Sequence, residues 1–370
     1  MEPRAMAPVI APPGDGPVFD FDRVFNMTSQ QASRDMFRTL AMQITEKFCQ
    51  GFNASMLAYG QTGSGKTYTM GTAIENMGPD VNKTISKADG IIPRLIISLF
   101  GYTAAAADIY DIELKVQYIE IYNEQVNDLL VHAPGQNIEA APSSMGSKLD
   151  IREHASGEVF VEGANSMIIR SPADLAYAMQ MGNAVRATAS HKLNEHSSRS
   201  HAIVTIHMEQ KIKPSQMKEF PKELHYLRSK LQLVDLAGSE RAKGTGAEGK
   251  RFEEGVNINK SLLELGNCIN ALTEGNRKHV PYRNSKLTRV LKDSLGGSAE
   301  TLMLACVSPA NVNYEQTLNT LRYAQRARAI KNSLKLNNAM SLQEEVEFLR
   351  AMVNKLEDEN ATLRAQVLAK

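Results

Sequence analysis

No stretch of the 370-residue sequence approaches eighteen uninterrupted apolar residues, so no membrane-spanning helix is expected. Cysteine is scarce too. Cys49, Cys268 and Cys306 are odd in number, far apart and set among apolar neighbours, which favours buried thiols in a reducing compartment over disulfides. The eight histidines are scattered and offer no metal-ligand spacing. A net charge of +1 provides no global field to select a nucleic acid or a membrane surface, so a charged partner must be met by a local patch. Residues 1–17 are rich in proline and alanine and lack the apolar core of a signal peptide. These absences exclude secreted and membrane classes and leave a cytosolic protein, long enough for one large domain plus an appendage.

What is present centres on Gly60, Gln61, Thr62, Gly63, Ser64, Gly65, Lys66 and Thr67, preceded by the apolar run 54–59 and followed by a helical pattern that begins near Tyr68. A buried strand feeding a glycine-rich turn lets successive backbone N–H groups close around phosphate oxygens. In such a loop Lys66 reaches the β- and γ-phosphates, and the Thr67 hydroxyl goes to Mg²⁺. A nucleotide hydrolase or switch is expected.

Along the chain, residues 1–17 read as disordered, and order begins near Phe19. A helical pattern occupies 33–50, and after the phosphate loop a polar insertion over 71–90 precedes an apolar helix over 91–100. Alternation at Ile112, Leu114, Val116 and Tyr118 predicts a half-buried strand, and 131–148 reads as a loop. Ser171, Pro172 and Asp174 open a helix through a cap, a first-turn proline and an acid at the positive dipole end. Residues 202–208 form a strand and 213–229 a charged excursion. The buried strand 231–236 ends in Asp235, Leu236, Ala237 and Gly238, where a carboxylate can orient a water of the Mg²⁺ shell and Gly238 leaves room for the γ-phosphate. Helices over 258–272, 284–295 and 315–329 and a strand over 302–307 complete an α/β plan, a P-loop NTPase with a mostly parallel or mixed central sheet and helices on both faces.

The run Asn194, Glu195, His196, Ser197, Ser198, Arg199, Ser200, His201, together with the phosphate loop and 235–240, resembles the switch set of the kinesin motor domain. Further matches are Tyr68-Thr69-Met70, Asn257-Ile258-Asn259-Lys260-Ser261-Leu262, the segment from Pro281 through Arg289, and the segment from Thr317 through Ala324. The run 308–332 looks most like the chromokinesin group. The resemblance implies a motor domain over 18–330, a neck linker over 331–340 and a coiled-coil neck over 341–370. It implies ATP and Mg²⁺ as ligands: Thr67, Ser198 and Asp235 would serve the metal, Ser197 and Asn194 the γ-phosphate and lytic water, and Gly238 would sense that phosphate. Arg199 and Glu240 would close as a latch between the switches. His196 and His201 read as scaffolding.

The resemblance also implies microtubules as partner. From 275 to 292 there is no acid but six bases, Arg277, Lys278, Arg283, Lys286, Arg289 and Lys292, a face suited to acidic tubulin, with Lys243, Lys250 and Arg251 extending it. Nucleic acid is not expected for this segment. Leu342, Leu349, Leu356 and Leu363 recur every seven residues, with Val346, Val353, Asn360 and Val367 between them, the pattern of a parallel two-stranded coil and hence a homodimer. The expected location is the cytoplasm and its cytoskeleton. One departure stands out: the opening Arg-x-Arg-Pro strand of the family has no counterpart, so either the sequence is truncated or the site is weakened. Two readings remain open, an ATP-driven plus-end-directed motor, and a microtubule-binding or dimerising protein with impaired ATPase. A phosphate-loop GTPase is disfavoured by the lack of an Asn-Lys-x-Asp motif.

Overall fold

A computed structural model describes residues 9–10, 17–26, 34–71, 90–130, 149–154, 157–192, 196–240, 250–274 and 279–338, and eight positions between 346 and 364. The expectations at Asn194 and Lys243, in the insertion 72–89 and loop 131–148, and over most of the heptad segment lie outside them. So do the side chains of Ser197, Lys250 and Arg251.

The elements in chain order are β1 (Val9–Ile10), β2 (Phe19–Asp20), α1 (Met42–Cys49), β3 (Ala54–Tyr59), α2 (Lys66–Met70), α3 (Ile91–Ala105), β4 (Tyr110–Tyr122) and β5 (Gln125–Asp128). There follow β6 (Asp150–Glu153), β7 (Val159–Glu162), β8 (Met167–Ile168), α4 (Pro172–Lys192), β9 (His201–Ile212) and β10 (Tyr226–Asp235). The last are α5 (Lys250–Thr273), α6 (Lys286–Val290), β11 (Glu300–Ala305) and α7 (Tyr314–Arg328). The central sheet runs β11-β3-β10-β9-β4-β5, with β8 on the flank of β4. β11, β3 and β10 run parallel to one another, and the pairs β10-β9, β9-β4, β4-β5 and β4-β8 are antiparallel, so the sheet is mixed.

Alternation along the strands divides the apolar residues between two cores. Met56 and Ala58 of β3, Leu231 and Leu233 of β10 and Val204 and Ile206 of β9 face α1, α3 and α4, where Phe48, Ile92, Leu95 and Met179 meet them. Leu57, Tyr59, Ile203 and Val234 face the opposite way, onto Leu265 and Ile269 of α5, Leu287 of α6 and Tyr323 of α7. Helices on both faces follow from that period of two. The start of α4 is fixed as its sequence implies: Asp174 N donates to Ser171 Oγ at 3.2 Å, and Ser171 N to Asp174 Oδ2 at 2.9 Å.

Several boundaries differ from the pattern reading. Val9–Ile10 pair with Phe19–Asp20 in a two-stranded sheet of their own, outside the central one. Two β-branched residues between prolines keep enough extended backbone for that short ladder. β10 begins at Tyr226, inside the charged excursion, because β9 supplies an antiparallel partner for every residue from Tyr226 to Asp235. The helix expected over 284–295 breaks into α6 and a 3₁₀ turn at Lys292–Ser294. After α7 the chain is fastened to the sheet. Asn332 Nδ2 donates to Ala299 O at 2.7 Å and its Oδ1 accepts from Gly296 N at 2.8 Å. Further on, Asn337 N donates to Gly51 O at 3.1 Å and Asn337 O accepts from Arg228 N at 2.8 Å.

Lys230 of β10 is buried, and its ammonium donates to Asp293 Oδ2 at 2.9 Å and Val159 O at 3.1 Å. This pair joins the sheet to the turn after α6 and to β7. Asp293→Ala leaves that ammonium buried without its nearest anion and is expected to lower the unfolding free energy by about 3 kcal/mol, whereas Lys230→Met with Asp293→Leu together loses less. Urea denaturation of the two variants checks this, and a double variant as unstable as the single one would contradict it.

Candidate phosphate site at the carboxyl ends of β3 and β10

The parallel register aligns Asp235 with Ala58, so the end of β10 lies beside the loop that leaves β3. The first turn of that loop is tight: a Cβ on Gly60 would stand 2.1 Å from Cys306 O, so only glycine fits. Beyond it Gly63 and Gly65 face open space. Lys66 is buried, and Nζ donates to Gly60 O and Gln61 O, each at 2.9 Å. Burial lowers its pKa, a shift opposed by the carboxylates of Asp235 and Glu240. Thr67 Oγ1 donates to Asp235 Oδ2 at 2.8 Å. Tyr68, the next residue, is 52% exposed beside the loop.

The segment 196–201 arrives from the end of α4 and enters β9 beside β10. Ser198 O accepts from Gly238 N at 2.8 Å, and Ser239 N donates to Gly60 O at 3.1 Å. Three loops, 60–67, 196–201 and 235–240, are thereby joined through their backbones. Arg199 is half-buried in the 3₁₀ turn His196–Arg199. The Glu240 carboxylate meets the phosphate loop, where it accepts Thr62 N at 2.9 Å and the Thr62 hydroxyl.

Two buried groups that sequence reasoning left as scaffolding or did not single out hold this junction. His201 Nδ1 accepts from Ala237 N at 3.0 Å, which requires an unprotonated Nδ1 and leaves Nε2 to donate to Ser261 Oγ at 2.7 Å. Burial first, then Arg186 and Lys66, push its pKa from 6.5 to about 3, so the ring is a neutral strut between β9, the loop after β10 and α5. Arg186 of α4 donates from Nε to Glu120 Oε1 at 3.3 Å and from Nη2 to Ser200 O at 3.1 Å. A lone Arg in a helix carries no local signal for that role. The Ser200-His201 pair that follows Arg199 is the trace of the strut in the sequence.

The donor set fits a phosphate with a hard cation. Asp235 Oδ1, Gln61 Oε1 and Ser64 Oγ are buried without a hydrogen-bond partner, and Asp235 is buried enough for its pKa to be raised, against the Thr67 hydrogen bond and the charges of Arg186 and Lys66. Such orphaned oxygens are costly unless a ligand or its waters complete them. Oxygen-only donors from Thr67, Ser198 and Asp235 suit Mg²⁺ with a retained water shell. Among the described residues no cluster of His, Cys, Asp and Glu offers an alternative metal site.

The basic face is less cationic than its sequence implies. β6 lies against α6, and Lys286 Nζ pairs with Asp150 at 3.3 Å while Lys292 Nζ pairs with Glu153 at 2.5 Å. The acids absent from 275–292 come from another strand. Arg283 is exposed and Arg289 half-buried beside them. No helix is long and apolar enough to cross a membrane among the described residues.

The family model for the kinesin motor domain matches residues 13–330. The chain is 41% identical over 355 residues to kinesin-like protein KIN-4A of Gossypium hirsutum, covering 90% of this chain and 33% of that protein. It is 46% identical over 318 residues to chromosome-associated kinesin KIF4A of Homo sapiens, covering 85% and 24% respectively. The solved structure of a fast kinesin superposes with a TM-score of 0.73 at 38% identity, over 89% of this chain and 84% of that one. The chain spans about a third or less of the length of these curated relatives.

His201 yields a prediction with a definite sign. The unfolded chain protonates this ring below pH 6.5 and the folded protein resists until about 3, so stability is complete above 6.5 and falls as pH drops, by up to about 1.4 kcal/mol per pH unit. Urea midpoints measured at pH 7 and pH 5 should therefore converge in His201→Gln relative to the parent. An unchanged pH slope in that variant would reject the neutral strut.

Proposed function

The chain belongs to the kinesin motor-domain family, and from that premise we propose that it is an ATP-driven microtubule motor of chromokinesin-like type, stepping toward the plus end. The observation that carries the reading is the Thr67 to Asp235 hydrogen bond beside an unpartnered, buried Asp235 oxygen. It puts the phosphate-loop hydroxyl and the β10 carboxylate at one point, as Mg²⁺-assisted phosphoryl transfer demands. The impaired-ATPase reading gains no support, since this junction assembles with β11 at the edge of the described sheet.

In this mechanism the loop 60–67 holds the phosphates and Lys66 leaves its loop carbonyls for the β- and γ-phosphate oxygens. Thr67, Ser198 and Asp235 would hold Mg²⁺, which when bound would supply positive charge against the negative charge that develops on transfer. Asn194 and Ser197 orient the attacking water. The Gly238 amide, which donates to Ser198 O in this structure, turns to the γ-phosphate, and Arg199 closes on Glu240 once both loops are drawn in. Tyr59 transmits the change: its phenol bonds Ser239, and its ring stacks on Tyr323 of α7 at 4.2 Å and 9°. From α7 the change reaches the segment 331–338, read as the neck linker and seated along Gly51 and Arg228.

The track-facing surface comprises Arg283 and Arg289, with Lys243, Lys250, Arg251 and the partly offset Lys286, and it recruits the acidic tubulin surface in a salt-dependent way. A parallel homodimer through 341–370 accords with Val346 and Val353, which are helical, seven residues apart, and 39% and 53% exposed in the single chain. The site of action is the cytoskeleton.

Steady-state ATP turnover titrated with microtubules tests the motor directly. Lys66→Ala is expected to abolish turnover, and Arg199→Ala to retain nucleotide binding while losing at least about tenfold in stimulated rate, an effect of the size of one lost transition-state donor. Full stimulation in Arg199→Ala would sink the latch. Deleting 341–370 should convert a dimer into a monomer in sedimentation equilibrium, and an unchanged mass would refute the coil.

A further inference from the structure

A phosphate-binding loop is a set of N–H groups arranged to receive an anion, and here one of them already holds one. Thr62 N donates to Glu240 Oε2 at 2.9 Å, and the Thr62 hydroxyl donates to the other oxygen of the same carboxylate. Glu240 comes from the opposite side of the site, two residues beyond Gly238. The packing there is close: a Cβ on Gly238 would lie 2.2 Å from Glu240 Oε1 and 2.4 Å from Thr62 Oγ1, so glycine at 238 is what allows the carboxylate to settle on the loop. The neighbouring backbone locks the same arrangement, with Ser239 N on Gly60 O and Gly238 N on Ser198 O. The loop's cation is turned inward as well, Lys66 resting on Gly60 O and Gln61 O.

We propose that Thr62 is a positioning residue that parks the Glu240 carboxylate on the phosphate loop, and that an incoming nucleoside triphosphate must displace this internal anion before Glu240 can move to Arg199. The displaced step rests on the motor reading above; the parking itself requires only phosphate binding. A carboxylate and a phosphate chain cannot share one pair of donors at short range, because each repels the other. The parked state is therefore a competitor, and it lowers apparent nucleotide affinity by the fraction of molecules it occupies. Release of Glu240 also couples the arrival of nucleotide to the availability of the latch carboxylate, so the latch cannot close on an empty site.

The sign of one measurement decides between this role and direct contact of Thr62 with nucleotide. Thr62→Val keeps the shape and the backbone amide but removes the hydroxyl donor. With Mg²⁺ and the β,γ-imido analogue of ATP, and without microtubules, calorimetric titration should show binding about five- to tenfold tighter than in the parent, the scale of the net contribution of one exposed hydrogen bond. Thr62→Ser, which retains the donor, should match the parent. Glu240→Gln should also bind more tightly, and combining it with Thr62→Val should add less than the sum of the two effects. Weaker binding in Thr62→Val would show that the hydroxyl serves the nucleotide directly and would overturn the proposal, as would unchanged affinity. If Thr62→Val does not fold, Thr62→Ala is read in the same titration. A parent that binds no nucleotide would defeat the motor reading, whereas a parent that binds, with indifferent variants, defeats only the parking role.

Discussion

The structure depends on one register. Parallel pairing of β3 with β10 sets Asp235 opposite Ala58, and from that alignment the end of one strand meets the loop leaving the other. A slip of one residue would turn Asp235 toward the opposite face of the sheet and exchange the two cores at once, since side chains alternate with a period of two. The register is held by burial on both faces: Met56 and Leu233 on one side, Leu57 and Val234 on the other, belong to different clusters and tolerate no exchange. The geometry of the candidate phosphate site is thus a by-product of apolar packing.

Around that junction the protein places neutral or fully paired polar groups where it needs specific joints. His201 joins the loop after β10 to α5, Arg186 ties α4 to Ser200 and Glu120, and Lys230 ties β10 to the turn after α6. Each lies in the interior and each has partners, which is the condition under which buried polar groups specify an arrangement without a large penalty. Leu236 and Ala237 anchor the start of the loop 235–240 in the core, and these joints with the backbone bonds at Ser198, Gly238 and Ser239 hold the loops around it.

A continuous physical route leads away from the site. Tyr59, the last residue of β3, stacks on Tyr323, and Arg326 one turn later donates to Asn270 of α5 at 3.0 Å. α7 ends at Arg328, and Asn332 then fastens the following segment to the turn at 294–301 through both atoms of its amide. The aromatic stack and the amide anchor thus lie in series between the site and the bonds that Asn337 makes with Gly51 and Arg228.

The sequence by itself determined β3, the phosphate loop, the Asp235 strand end and the apolar faces of the helices, because each is written in spacing over a dozen residues or fewer. It also carried the family, through motifs whose order is linear. Several predicted edges moved. β10 gained five residues and the helix after 284 broke, since antiparallel pairing and a buried turn are set by distant partners rather than local propensity. Only the tertiary structure decided which charges meet. Lys286 and Lys292 find Asp150 and Glu153, which lie 136 and 139 residues away, and so a run without acids became a partly neutral face. Glu240 finds Thr62 across 178 residues. Coulomb and hydrogen-bond energies depend on separation in space, and no period or motif along a chain encodes that separation until the sheet has closed.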